Sequence, residues 1–595
     1  MPTHLHGQGY IDSNWLIPEL IERLEFKKGA YHAAQGDFSA ARSASLHYAA
    51  NLLKSIAKLT LGSYGFQRLL NAGSQDIANG HLLYAIEAQG YDGAWQNNQN
   101  LRKLNGMLRY SMGNAEHGWD ITAMAYAAKW DATDQIPRRA LRSSAINRFG
   151  AIDNSTGGDT RRYSLSADWH QNDWQANLYA MHYALCIMHY ALCVMRYALC
   201  VMRYALCVMR YALDLFSNFT YFLDDPINGD QFQQVDKCNI FGGAIQRTLN
   251  AKIAGLETAH QIGLQGRYDD IANVGLYRTV ARQRLNTVLQ DKVKQGSIGL
   301  WWQGNWQLNP SLRASTGLRQ DIYQFDIDSN IVENSGKTIS SIISPKFGLA
   351  WQASNRHEFY ANWAPGFHSN DGSGTTIRVD PVSGDAIKKV NPLVKATIQE
   401  LGWRGNPLGH WQTTLAIFAL NLNSELLFIG DAGATEASRP SKRVGLEWAN
   451  YIPINDWSYI DADFALTRAR FTNRDTSGDY IPDAVNKTAS ISLAMQHPSG
   501  WSATTRLRYL GPRALIENNS VSSSSTLLTN INIGYQFSPK VNMALDVFNI
   551  FNRKVSDIDY FYASRLKGEP SEGVNDVHTH PAEPIMARLT MTLNY

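Results

Sequence analysis

Residues able to do chemistry are few and scattered. His4 and His6 stand two apart, as do His578 and His580. In an extended chain such a pair points the same way and could clamp a metal ion. A closed site needs about four donors, and no carboxylate or cysteine completes either set, so no metal is assigned. The stretch "GFHSNDGSG" gathers Phe367, His368, Asn370 and Asp371 in a polar loop that could meet a small ligand. The same residue types also serve plain turn chemistry. His6 and Tyr10, in the N-terminal segment, are the remaining candidate ligand contacts. Cys186, Cys193, Cys200 and Cys207 all fall inside one repeat and Cys238 stands alone. Neither a disulfide framework nor a zinc site is supported. No Ser/His/Asp order, phosphate-binding loop or paired-carboxylate motif stands out. The expectation is therefore neither an enzyme nor a cofactor-dependent protein.

The elements that must position these residues have a period of two. Ala489, Ile491, Leu493 and Met495 alternate with Thr488, Ser490, Ser492 and Gln496, and a Pro-Ser-Gly turn follows. Leu527, Ile531, Ile533, Tyr535 and Phe537 alternate with Asn530, Asn532 and Gln536, and Val541 to Val547 repeats the pattern. The chain ends on Ile585, Ala587, Leu589, Met591, Leu593 and Tyr595 against Arg588, Thr590, Thr592 and Asn594. Strict alternation puts apolar side chains on one face of a strand. Runs of about 10 residues suffice for a tilted strand to cross a bilayer. Aromatics gather at strand ends, some turns have two to four residues, and other connections are long and polar. That asymmetry describes an outer-membrane barrel in contact with lipid. A soluble sandwich or propeller also alternates, but a chain of 595 residues would then show linkers or blade-length repeats. Charge is nearly balanced, 55 basic against 52 acidic residues, so no nucleic-acid partner is implied. "MPTHLHGQGY" has no basic start followed by an apolar core, so no signal peptide is read there.

Residues 5–43 do not read as barrel. "PELIERLEF", Pro18–Phe26, reads as a short helix with Pro near its start, leading into a strand. Gly9-Tyr10, Asp12, Leu16-Ile17-Pro18-Glu19-Leu20, Lys28-Gly29 and Gly36-Asp37-Phe38-Ser39 follow in order. This run resembles the last third of the plug domain of TonB-dependent outer-membrane receptors. "GFHSNDGSGTTI" and "DVFNIFNRKVSDIDYFYASRLKGEP" are similar to barrel motifs of one branch of that family. The resemblance implies an all-β fold: a large antiparallel barrel of about 22 strands with the end of a plug inside it. It implies uptake of a scarce small-molecule ligand, such as a siderophore or other metal chelate. It also implies, in intact relatives, energy from the TonB–ExbB–ExbD complex, whose contact segment is expected to be absent here, so that a truncated product is expected to be inactive or leaky. A monomer and the Gram-negative outer membrane are implied as well. A passive porin is the alternative, and a barrel enzyme a remote one. Residues 1–50 are expected to be the remnant of a plug and 51–595 the barrel. On this reading the chain is N-terminally truncated, unless its start is misassigned. Arg42 stands where the family pattern has Gly, and reads as drift or damage.

Residues 183–210 are four near-identical heptads, "YALCIMH" followed by three copies of "YALCVMR". As a strand they fail, because seven is odd and each repeat flips its side chains to the other face. The genetic code offers an origin. A tandem heptanucleotide regains its frame after three copies; TATGCGT repeated reads Tyr-Ala-Leu-Cys-Val-Met-Arg, and TATGCAT reads Tyr-Ala-Leu-Cys-Ile-Met-His. The segment is expected to be an insertion into an early strand. Without it Tyr179, Met181, Tyr211, Leu213 and Leu215 alternate with Ala180, His182, Ala212 and Asp214.

Overall fold

In the computed structural model, residues 12–114, 116–182, 212–424, 426–429, 434–473 and 475–595 are described. His4, His6, Tyr10 and the repeat at 183–210 lie outside these residues. The wall is one closed sheet of 23 antiparallel segments. Two of them, Trp174–His182 and Ala212–Ser217, lie between the same two neighbours and count as one stave, so the barrel has 22. The first strand, Ile56–Gly62, pairs with the last, Met586–Asn594, from Ile56↔Asn594 to Gly62↔Arg588. Closure leaves no sheet edge to satisfy in lipid.

Both the entry to the first strand and the C-terminus lie on one rim, where most turns are two residues: Ala78-Asn79, Asn172-Asp173, Ala254-Gly255, Asn355-Arg356. The opposite rim carries long connections, among them 132–156, 370–392 and 549–585. Short turns mark the periplasmic rim of such barrels and long loops the extracellular one. Large apolar side chains point outward along the staves, including Leu69 (56% exposed), Leu104 (58%) and Leu401 (65%). Aromatic pairs such as Trp351–Phe359, Tyr451–Tyr459 and Trp501–Tyr535 line the short-turn rim, as interfacial girdles do. Among the described residues no helix is long and apolar enough to cross a membrane. Three neighbouring strands, Phe232–Ile253, Leu256–Val280 and Gln283–Asn309, far exceed the expected ten residues and carry the wall beyond the bilayer on the loop side.

Two expectations change. Pro18–Leu20 forms only one 3-10 turn, and the strand Ile21–Lys28 starts at once. The reason is its partner: Arg42–Tyr48 pairs with it from Lys28↔Arg42 to Ile21↔Tyr48 and takes the backbone groups a helix would have used. Arg42 is therefore an ordinary strand residue, and its guanidinium donates to Glu447 at 3.0 Å. Its place needs no glycine.

The stave interrupted by the repeat is in register on both sides. His182 faces Tyr163 on one neighbour and Asn239 on the other, while Leu213 faces Thr160 and Asp236. The two residues are 3 positions apart on either neighbour but 31 apart in sequence; 31 − 3 leaves 28, the length of 183–210. The apolar set of this stave looks inward: Tyr179 and Met181 are buried, while Leu178 is 68% exposed to the lipid side.

Candidate functional site

The N-terminal segment runs inside the barrel and is fastened to the wall at two places. The first fastening joins residues 28–42 to the strands between Leu256 and Ser369 and to Glu447 on Ser441–Asn455. It is made mainly by wall side chains gripping backbone. Gln303 accepts the Ala33 N–H at 2.9 Å, Gln265 donates to the Ala34 carbonyl at 3.1 Å, and Arg319 to the Ala33 carbonyl at 3.2 Å. The buried Lys346 ammonium donates to the Ala30 carbonyl. Close approach demands small residues here. A Cβ on Gly36 would meet the Arg319 guanidinium at 2.6 Å, and one on Gly366 would meet Ala30 and Ala40. Lys28 adds an ion pair to Glu447 at 2.6 Å.

At the centre of this fastening Asp37 accepts the Ser369 N–H at 2.6 Å, the Ser369 hydroxyl at 2.5 Å and the Tyr323 hydroxyl at 3.2 Å. Burial pushes its carboxyl above the ordinary range, although the Ser369 hydrogen bonds pull the other way. Phe38 follows in a left-handed conformation, φ 58°, which bulky side chains avoid. Its amide donates to the Phe367 carbonyl at 3.2 Å and its ring stacks on His368 at 5.8 Å.

The second fastening lies across the lumen. Glu19 takes a two-pronged contact from Arg68 at 2.8 and 2.9 Å, and another from Lys58 at 3.2 Å. Burial pushes Glu19 up, but Arg68 and Lys58 outweigh it and hold the carboxyl at about 2. Arg68 also reaches the buried Glu87, which Lys103 joins at 3.1 Å. Arg162 lies over the Trp15 ring at 3.9 Å, and Asn105 donates to the Trp15 carbonyl at 2.6 Å.

Of the sequence candidates, Phe367, His368, Asn370 and Asp371 come together, all buried. They belong to the first fastening, not to an open loop. Phe367 sits edge-on to Tyr323 within an apolar cluster of Tyr179, Met181, Ile271, Val293 and Phe325. Asn370 donates to the Asn391 carbonyl at 2.7 Å, and a one-turn helix at Gly372–Thr376 follows Asp371. Asn334 fixes the loop further on, accepting the Arg378 and Val379 amides at 2.8 and 2.9 Å. His578 and His580 lie in a small sheet over the loop rim, formed by Ser556–Ser564, Val574–Pro581 and Ile136–Pro137. His578 bonds Ser564 at 2.7 Å and stacks on Tyr562 at 3.7 Å, whereas His580 stacks on Trp95. Among the described residues no group of three metal-ligating side chains occurs. The sequence reading missed Glu19, Asp37, Arg68, Arg319 and Lys346 as functional residues. Only Glu19 and Asp37 had a signal, because both lie inside the quoted N-terminal motif.

A closed barrel with a fastened segment across its lumen is one observation; a sequence match is another. The family model described as "TonB dependent receptor-like, beta-barrel" matches residues 90–550, more than half of the chain. The chain belongs to this family. Solved receptors share its fold at low identity. The ferric citrate transporter FecA in unliganded form is 13% identical with a TM-score of 0.76, covering 100% of this chain and 86% of its own. The siderophore receptor PiuA from Acinetobacter baumannii is 13% identical with a TM-score of 0.73, over 97% of this chain and 86% of its own. The copper transporter OprC is 14% identical with a TM-score of 0.72, over 98% and 87%. A TonB-dependent receptor barrel belongs in the Gram-negative outer membrane, and these staves carry an exposed apolar belt.

Proposed function

We propose that this TonB-dependent receptor imports a scarce metal chelate of the siderophore kind, taken up from outside and passed inward when TonB–ExbB–ExbD energy displaces the luminal segment. The observation that carries the reading is the double fastening of residues 12–50 through Glu19 and Asp37. A 22-strand barrel is wide enough to need a plug, and here wall side chains grip the backbone of the luminal segment. Hydrogen bonds of that kind contribute about 1 kcal/mol each, strong together yet separable one by one. In this reading ligand contact by Phe367, His368, Asn370 and Asp371 requires the loop 370–392 to lift, because all four are buried. His6 and Tyr10 are the contacts proposed on the N-terminal side. The receptor works as a monomer, with no cofactor and no catalytic step.

The test is uptake of a radiolabelled ferric chelate by cells whose only receptor is this chain. Accumulation of one chelate class, abolished by an uncoupler of the proton gradient, is the expected result. Equal, uncoupler-insensitive entry of unrelated solutes would return the chain to the porin reading.

A further inference from the structure

The outward face of the wall carries an arrangement that uptake does not use. Directly opposed residues on neighbouring strands share a face, so the registers define rows across the barrel exterior. One row runs Leu61, Gln67, Gly90, Arg102, Lys129, Asp159. The row beneath it, toward the periplasmic rim, runs Leu59, Leu69, Ala88, Leu104, Ala127, Arg161. Leu59, Leu61, Leu69 and Leu104 are 47–58% exposed, which fixes this face as the lipid side. The small residues Gly90, Ala88 and Ala127 lie between them, and the result is a trough in the outer surface that both rows line.

Three cations stand at its upper end. Arg102 is the second residue of Leu101–Gly113, Lys129 lies near the end of His117–Asp131, and Arg161 near the start of Gly157–Gln171. All three are therefore at the loop-side margin of the apolar belt. Arg102 donates to the Leu101 carbonyl, and among the described residues none of the three is in a salt bridge. Asp159, beside Lys129, is the one carboxylate lining the trough, and the same row continues to Asp214 on the next stave. Outward-pointing charge costs little at the interface and several kcal/mol at the midplane, so the placement suits an anionic headgroup. Apolar floor directly below suits the chain attached to it.

We propose that this trough binds a phosphate-bearing lipid of the outer leaflet, with its phosphate on Arg102, Lys129 and Arg161 and an acyl chain over Gly90, Ala88 and Ala127. The test uses the full chain purified in a neutral detergent, titrated with diphosphoryl lipid A and followed by native mass spectrometry. A one-to-one adduct is expected with wild type. Each basic residue near an anionic surface contributes about 1 kcal/mol, so Arg102→Gln/Lys129→Gln/Arg161→Gln should bind roughly a hundredfold more weakly. Ala127→Trp keeps the charges but fills the trough, and should also weaken binding about tenfold or more. Lys395→Gln, an exposed lysine on another stave, should change nothing, and millimolar inorganic phosphate should not displace the lipid. Heat-resistant migration on gels confirms that each variant is a folded barrel. Wild-type binding by the triple variant or by Ala127→Trp would overturn the proposal. Displacement by inorganic phosphate would also overturn it, making the site a free-anion site.

Discussion

Glu19 makes one of the two fastenings of the N-terminal segment sensitive to pH. Its carboxyl is held near 2 in the docked state, below the ordinary value of about 4.3. A depressed folded pKa gives stability that is complete above the ordinary value and is lost as pH falls through the folded one. Docking should therefore weaken between about pH 4.5 and 2. Glu19→Gln should lose about 2–3 kcal/mol of docking at pH 7 and flatten that acid dependence, read as the first calorimetric transition of the purified receptor against pH. His578 titrates in a higher window. Burial pushes its imidazole down to about 4, so the loop-rim sheet is most stable above about pH 6.5 and loosens as pH falls toward 4. Hydrogen exchange of Ser556–Pro581 should rise over that interval, and His578→Phe, which keeps the stacking on Tyr562, should remove the rise. Neither role was legible in the sequence. The spacing of His578 and His580 raises only a metal clamp that no further donor completes, because spacing fixes which way a side chain points but not what packs against it.

At the scale of elements, the stave around His182 and Leu213 makes parity testable. Its neighbours hold the two halves in a register that leaves no room for 183–210, so the wall does not need those residues. Deleting all 28 residues should leave the barrel folded, with its melting temperature within a few degrees. Deleting a single heptad, 190–196, should be equally silent, whereas the same heptad threaded through the wall would flip every later side chain of the stave. Heat-modifiable migration of both deletion variants decides the matter. The strands themselves were legible, because alternation is dictated by lipid outside and polar groups within. Which face looks outward was less so. Tyr179 and Met181 point inward because the lumen at that height holds Phe367 and Phe325 rather than water. The single 3-10 turn at Pro18–Leu20 was misread as a helix for a similar reason. Local propensity favoured a helix, and a strand twenty residues further on supplied better partners.

For the whole molecule, the decisive quantity is whether the lumen conducts. The fastenings are distributed: Glu19 and Trp15 on one side, Asp37 and the grips on Ala30, Ala33 and Ala34 on the other, Lys28 and Arg42 on Glu447. Surface-type pairs such as those on Glu447 are worth about 0–1 kcal/mol, so Glu447→Gln should loosen the plug only slightly. The buried grips on the opposite wall carry more, and no single one should open the pore. In planar bilayers the 595-residue chain should therefore pass no steady current, and Glu447→Gln should give at most brief openings. Removing residues 1–50 should open the lumen and produce a large, continuous, ohmic conductance, because barrel closure through Ile56–Gly62 and Met586–Asn594 does not involve that segment. A silent deletion variant that is still heat-modifiable would mean that the loop 370–392 and the rim sheet block the lumen unaided. A conducting 595-residue chain would mean that the segment fastened by Glu19 and Asp37 does not seal it.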